Sequence, residues 1–136
     1  VLGPGDLLLR IRIPRASYED HGGCYLKFGQ RNAMEISTLG CAVNVALTED
    51  RTRIRQAAVA YGVAAPVPVR CYETEARLAG MEAGGEALRV LRTTVRSQLS
   101  PRDSWRASRE LREQLIRELG CRALRQAIQQ AGGEMA

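Results

Sequence analysis

Alternating apolar and polar positions occupy the first half of the chain, and helical spacing takes over in the second. Asp6 to Ile13 places Leu7, Leu9, Ile11 and Ile13 on one side and Leu8, Arg10 and Arg12 on the other. That period of two predicts a strand, which Pro14 ends. Residues 15 to 23 are polar, finish in Gly22-Gly23 and predict a loop. Cys24 to Phe28 alternates again, with Leu26 and Phe28 on one face, Tyr25 and Lys27 on the other, and Gly29 following on that second face. A charged turn from Arg31 to Glu35 leads into a strand from Ile36 to Leu47. Its Cys41, Val43, Val45 and Leu47 make a bulky face, while Gly40, Ala42, Asn44 and Ala46 make a small one suited to close packing. Glu49 to Thr52 reads as a hairpin turn, and Ile54 to Tyr61 returns with Ala57, Val59 and Tyr61 in register.

Beyond Gly62, Pro66 and Pro68 force an extended loop that cannot pair inside a sheet. Tyr72 to Ala79 is a short predicted helix closed by Gly80. Glu86 to Leu99 carries Ala87, Leu88, Leu91, Val95 and Leu99 on one stripe, and Ser100 to Asp103 breaks it. A longer helix runs from Arg109 toward Ala131, with Leu111, Leu115, Ile116, Leu119, Ala123 and Ile128 inward and Gly132-Gly133 at its end. Glu113 with Arg117 and Glu118 with Arg122 have the spacing of outer-face ion pairs. Trp105 stands where the chain enters this helix, positioned either to dock it on the sheet or to offer a ring edge at an interdomain face. Strands followed by helices, each with one apolar stripe, predict an α+β sandwich: an antiparallel sheet of three to four strands packed against about three helices.

At 136 residues the chain has the length of a single domain. Its net charge of +5 invites a nucleic-acid reading, but the basic residues are interleaved with fifteen acids and the six aromatics are scattered. This is a solvated mixed surface rather than a phosphate-binding stripe. The four cysteines lie far apart and His21 is the only histidine, which argues against zinc and for free structural thiols. His21 sits beside Asp20 in a polar loop with no nucleophile in view, so a solvated role is expected. No apolar run reaches membrane-spanning length, and no secretion signal is visible, so a reducing cytoplasmic setting is expected. The chain opens on Val1 rather than methionine, consistent with processing or with a piece of a longer polypeptide.

Lys27 is the one lysine among twenty basic residues. Its compact ammonium sits beside an aromatic ring on a strand that ends at a glycine, where a flat ligand or another backbone could approach. From spacing alone, a half-exposed strand with a surface lysine is the preferred account of it.

The pattern Tyr25-x-Lys27-x-Gly29-x-Arg31 resembles the C-terminal domain of the FAD-binding subunit of xanthine dehydrogenase-type molybdenum hydroxylases, the carbon monoxide dehydrogenase flavoprotein family. Leu7 to Pro14, Met34 to Cys41, Tyr61 to Arg70 and Ser104 to Ser108 agree with it in order. The resemblance implies a domain, residues 1–136, of a longer flavoprotein subunit whose upstream FAD-binding domain is absent here. By the same resemblance Lys27 contacts FAD, Leu8 is a second contact and Tyr25 shapes the wall. Molybdopterin and 2Fe-2S clusters would lie in partner subunits, and electrons would pass from molybdenum through the clusters to FAD and then usually to NAD. Phosphate contacts would come from the upstream domain, since this chain has no G-x-G-x-x-G. A non-catalytic α+β subunit-assembly module, docking a partner through the Pro66-Val67-Pro68 loop, is the alternative reading. Neither reading includes nucleic acid or a membrane.

Overall fold

The computed structural model describes residues 2–134. Four strands follow one another as an antiparallel meander, β1 (His21–Phe28), β2 (Leu39–Leu47), β3 (Ile54–Gly62) and β4 (Val69–Arg70), in the sheet order β1-β2-β3-β4. Three helices follow: α1 (Tyr72–Leu78), α2 (Gly85–Thr94) and α3 (Arg109–Gln130). α1 and α3 pack on one face of the sheet with α2 packed against both of them, leaving the other face without a helix. The expected α+β fold is therefore the one observed, with a fourth strand only two residues long.

The bulky face of β2 makes the core. Cys41, Val43, Val45 and Leu47 are buried together with Ala57, Val59 and Tyr61 of β3, beneath Leu91 of α2 and Ile116, Leu124 and Ile128 of α3. Two glycines let α3 come down onto the sheet. A Cβ on Gly22 would stand 2.0 Å from the Ala127 carbonyl oxygen, and one on Gly120 would stand 2.1 Å from the Tyr61 hydroxyl. That hydroxyl donates to the Ile116 carbonyl at 2.7 Å, so the ring fixes both the height and the rotation of the helix. Burial holds the Tyr61 hydroxyl well above its ordinary pKa. At its start, α3 is capped by Ser108, whose hydroxyl accepts from the Leu111 N–H at 3.2 Å. At its end Gly132, with φ of +84°, turns the chain back so that Gly133 N–H donates to the Ile128 carbonyl.

Glu75 ties α1 to the sheet edge. It accepts from the Val59 N–H at 2.8 Å and from both Nε and Nη2 of Arg70 at 2.7 Å. Arg112, only 2% exposed, joins the start of α3 to two loops. It donates to the Thr38 carbonyl at 3.3 Å, to Ser104 Oγ at 2.7 Å, to the Ala107 carbonyl at 3.2 Å and to the Arg102 carbonyl. Carbonyl and hydroxyl oxygens, not a carboxylate, compensate its burial.

Several sequence expectations are corrected. Asp6 to Ile13 forms no strand: the segment is an exposed arm with no strand partner among the described residues. Alternation says which side chains share a side, but a strand also needs a neighbour to bond with. The loop before β1 is shorter than expected, because His21, Gly22 and Gly23 pair with Ala46, Val45 and Asn44. β2 begins at Leu39 rather than Ile36. The α2 helix gives way after Thr94 to a 3₁₀ turn over Val95–Gln98, where Thr93, Thr94 and Val95 form a β-branched run. Leu111 is partly exposed, not inward. Trp105 docks nothing on the sheet: it is 81% exposed, with the Arg106 guanidinium 4.2 Å from its ring. Arg112 performs the docking expected of it. Glu118 pairs with Arg122 at 2.7 Å as spaced, but Glu113 takes Arg96 and Arg109 instead of Arg117.

Candidate flavin wall on the open face of the sheet

The side of the sheet away from the helices is built from small residues. Along β2 and β3, Ala42, Asn44, Ala58 and Ala60 line it, and with Gly23 and Tyr25 of β1 they bound a shallow depression of about 430 Å³. The alternation that sends Val43 and Val59 into the core sends these alanines outward, so the floor is flat because the sequence is small there. Tyr25 stands over one end. It is 64% exposed, and a Cβ on Gly40 would meet its hydroxyl at 2.8 Å, so the ring lies across Gly40.

Lys27 is the next residue of β1 on the same face, paired with Gly40 in the register where Tyr25 pairs with Ala42. Its Nζ donates to the Glu35 carbonyl at 2.5 Å. The turn that holds this acceptor is itself knotted. Glu35 Oε2 accepts from the Arg31 N–H at 2.7 Å, and Arg31 Nη2 donates to the Met34 carbonyl at 3.1 Å. Met34 adopts a positive φ of 51° within it. A Cβ on Gly29 would lie 2.3 Å from Glu35 Oε2, so the close approach that this glycine permits is made by the Glu35 carboxylate. The ammonium is thereby oriented by one neutral acceptor and keeps its charge uncompensated by any ion pair among the described residues.

The structure thus brings Tyr25 and Lys27 together on one uncovered face. Leu8 stands apart from them on the N-terminal arm, 66% exposed. The arm reaches the domain over this same face, since Asn44 Nδ2 donates to the Ser17 carbonyl at 3.3 Å. Asn44, Gly40 and the Glu35 carbonyl were not foreseen as site-building groups. The small face of β2 carried the signal for the first two, whereas nothing in the sequence announces a backbone acceptor eight residues downstream.

As for fit to a flavin, a flat apolar floor with an aromatic ring at its end and a cation beside it suits one side of a planar, electron-accepting ring. The same surface offers no glycine-rich turn at a helix N-terminus for a pyrophosphate. The arrangement would meet only one side of such a ring. The Pro66-Val67-Pro68 loop lies elsewhere, bounding a separate cleft with Val63, Ser100 and Arg102. The four cysteines are free. Burial pushes the Cys41 thiol up to about 12 and that of Cys71 up to about 11. Among the described residues no helix is long and apolar enough to cross a membrane.

Comparison with known proteins supplies the lineage. The chain is 33% identical, over 98% of its length, to a putative xanthine dehydrogenase FAD-binding subunit of Escherichia coli K12, and spans 47% of that relative. Carbon monoxide dehydrogenase from Hydrogenophaga pseudoflava shares the fold, with a TM-score of 0.76 and 21% identity over 82% of this chain and 38% of the other. Quinoline 2-oxidoreductase from Pseudomonas putida 86 does so with a TM-score of 0.72 and 18% identity over the same shares. Residues 24–127 match the family model described as CO dehydrogenase flavoprotein C-terminal domain. Taken with the strand that carries Tyr25 and Lys27, the match establishes that the chain belongs to the CO dehydrogenase flavoprotein C-terminal domain family.

Proposed function

We propose that this chain is the C-terminal domain of a longer FAD-binding subunit in a xanthine dehydrogenase-like molybdenum hydroxylase, and that its open sheet face forms one wall of the flavin site. The observation that carries this reading is the placement of the single lysine beside Tyr25 on a sheet face left uncovered and floored by small residues. In this reading Lys27, Tyr25 and Leu8 are the contacts to FAD. When bound, FAD supplies the electron-accepting chemistry between 2Fe-2S clusters and NAD. Lys27 holds a fixed positive charge at the wall, which favours negative charge arriving there and so raises the potential of a group bound beside it. Tyr25 sets the end of the wall, and the alanine floor excludes water beneath.

The upstream domain would bring the pyrophosphate contacts and close the other side, entering along the arm that carries Leu8. Partner subunits would hold molybdopterin and the 2Fe-2S clusters, and a purine or related heterocycle would be hydroxylated there. The cytoplasm is the compartment that suits four free thiols. An assembly module is the second reading, favoured by the exposed Trp105 and the proline loop.

The test is the visible spectrum of the full-length protein purified with its subunits, before and after Lys27→Ala. A flavin band with iron-sulfur absorption, altered by the substitution, is expected. A band indifferent to Lys27 removes the residue from the site, and a colourless protein leaves the assembly module. The 136-residue chain alone is expected to bind FAD weakly and to turn over nothing, and tight binding in a titration would contradict that.

A further inference from the structure

We infer that the cleft between α2 and α3, on the side of the molecule away from the open sheet face, binds a small organic phosphate of the charge and size of a nucleoside diphosphate. The cleft holds about 560 Å³, within the range of small-molecule sites. Four guanidinium groups line it against one carboxylate: Arg89 and Arg92 from α2, Arg122 and Arg125 from α3, and Glu118. Each arginine pair is spaced i,i+3, so like charges are neighbours on both helices, an arrangement that costs stability until an anion neutralises it.

Glu118 answers only part of this charge. Its carboxylate is shared between Arg92 Nη2 at 3.1 Å and Arg122 Nε at 2.7 Å, and Arg89 is held by Glu86 outside the cleft. Arg125 makes no ion pair or side-chain hydrogen bond among the described residues. The remaining wall is also rich in donors. Gln126 accepts from Cys24 Sγ at 2.9 Å through its oxygen, which leaves its NH₂ group to donate, and Gln129 lies one turn of helix away. Leu88 and Cys121, joined by a thiol contact of 3.6 Å to the Leu88 carbonyl, make an apolar floor. Forked donors around an apolar floor recognise an acceptor-only oxyanion attached to a flat or apolar body, and arginine forks match phosphate oxygens two at a time.

The proposal does not depend on the flavin reading. Its test is isothermal titration of the full-length protein with ADP at low ionic strength, for the wild type, Arg125→Glu, Arg122→Gln and Lys27→Ala. One ADP site is expected, weakened at least about tenfold by each arginine substitution. Lys27→Ala is expected to leave it unchanged, and the arginine variants are expected to retain the wild-type flavin spectrum. All three side chains are exposed, so the variants fold. No ADP binding, binding undiminished in both arginine variants, or binding lost with Lys27→Ala would overturn the proposal. Tighter binding of hexaglutamate than of ADP would also overturn it, and would assign the cleft to an acidic partner chain.

Discussion

The two faces of one sheet were given opposite tasks, and Gly22 and Gly23 show the contrast within two residues. Gly22 faces α3, where any side chain would meet helix backbone, while a Cβ on Gly23 would meet nothing within 4 Å. The same division runs along β2: Val43 and Val45 fill a core, and Ala42 and Asn44 are left half-exposed. Stability is concentrated on one face, so the other could be kept small and bare. A surface spared from holding the fold together is free to be shaped by what it meets.

The largest expected effects fall on the covered face. Gly22→Ala should destabilise by about 3 kcal/mol or more in urea unfolding, because its clash is with backbone that cannot rotate away. Gly23→Ala should stay within about 0.5 kcal/mol. Equal losses at both would abolish the contrast. Next comes Arg112→Ala, expected to cost about 3 kcal/mol by leaving three carbonyls and Ser104 short of a donor. Limited proteolysis of that variant should cut first between Arg102 and Ala107, the loop it releases.

On the open face, Ala58→Gln should change unfolding by no more than about 0.5 kcal/mol while removing the flavin band of the full-length protein. Loss of stability without loss of flavin would reverse the assignment of the two faces.

The smallest effect is a pH dependence. The Cys41 thiol titrates near 9.0 when unfolded and at about 12 when buried. Its neutral form is therefore favoured by folding. The stability it contributes is complete below pH 9 and is lost as pH rises from 9 toward 12, because the unfolded chain releases this proton first. Cys41→Ala should flatten that part of the urea midpoint against pH. Native Cys41 and Cys71 should also resist a thiol-specific reagent while the half-buried Cys24 reacts.

Much of this division was legible in the sequence. The period of two in β2 and β3 separates bulky from small side chains without reference to any neighbour, and the glycines after α3 mark its end. What escaped depends on partners distant in the chain. Leu7 to Ile13 alternates as well as β2 does, yet none of the described residues pairs with it. Trp105 has the size of a docking residue, but a charged side chain one turn into the helix made the contacts first. Glu113 has an arginine four residues away on either side; it keeps Arg109 and takes Arg96, brought near by the turn after α2, in place of Arg117. For the candidate site, the strand face shared by Tyr25 and Lys27 could be read directly. The backbone oxygen that orients the ammonium could not, since it belongs to a turn whose shape depends on Glu35 reaching back to Arg31.

The connectivity also sets an order of events. Each strand pairs with its predecessor through a short link, so the sheet can zip up while the chain is still emerging from the ribosome. α3, which covers β1 and β2, follows the whole sheet in the chain, and its contacts with β1 close loops of about one hundred residues, such as Cys24 with Gln126. Until α3 leaves the ribosome the valines of β2 stay bare. A truncation ahead of Arg109 would therefore leave a sticky half-sheet that calls for chaperones, whereas a chain that carries α3 covers those valines.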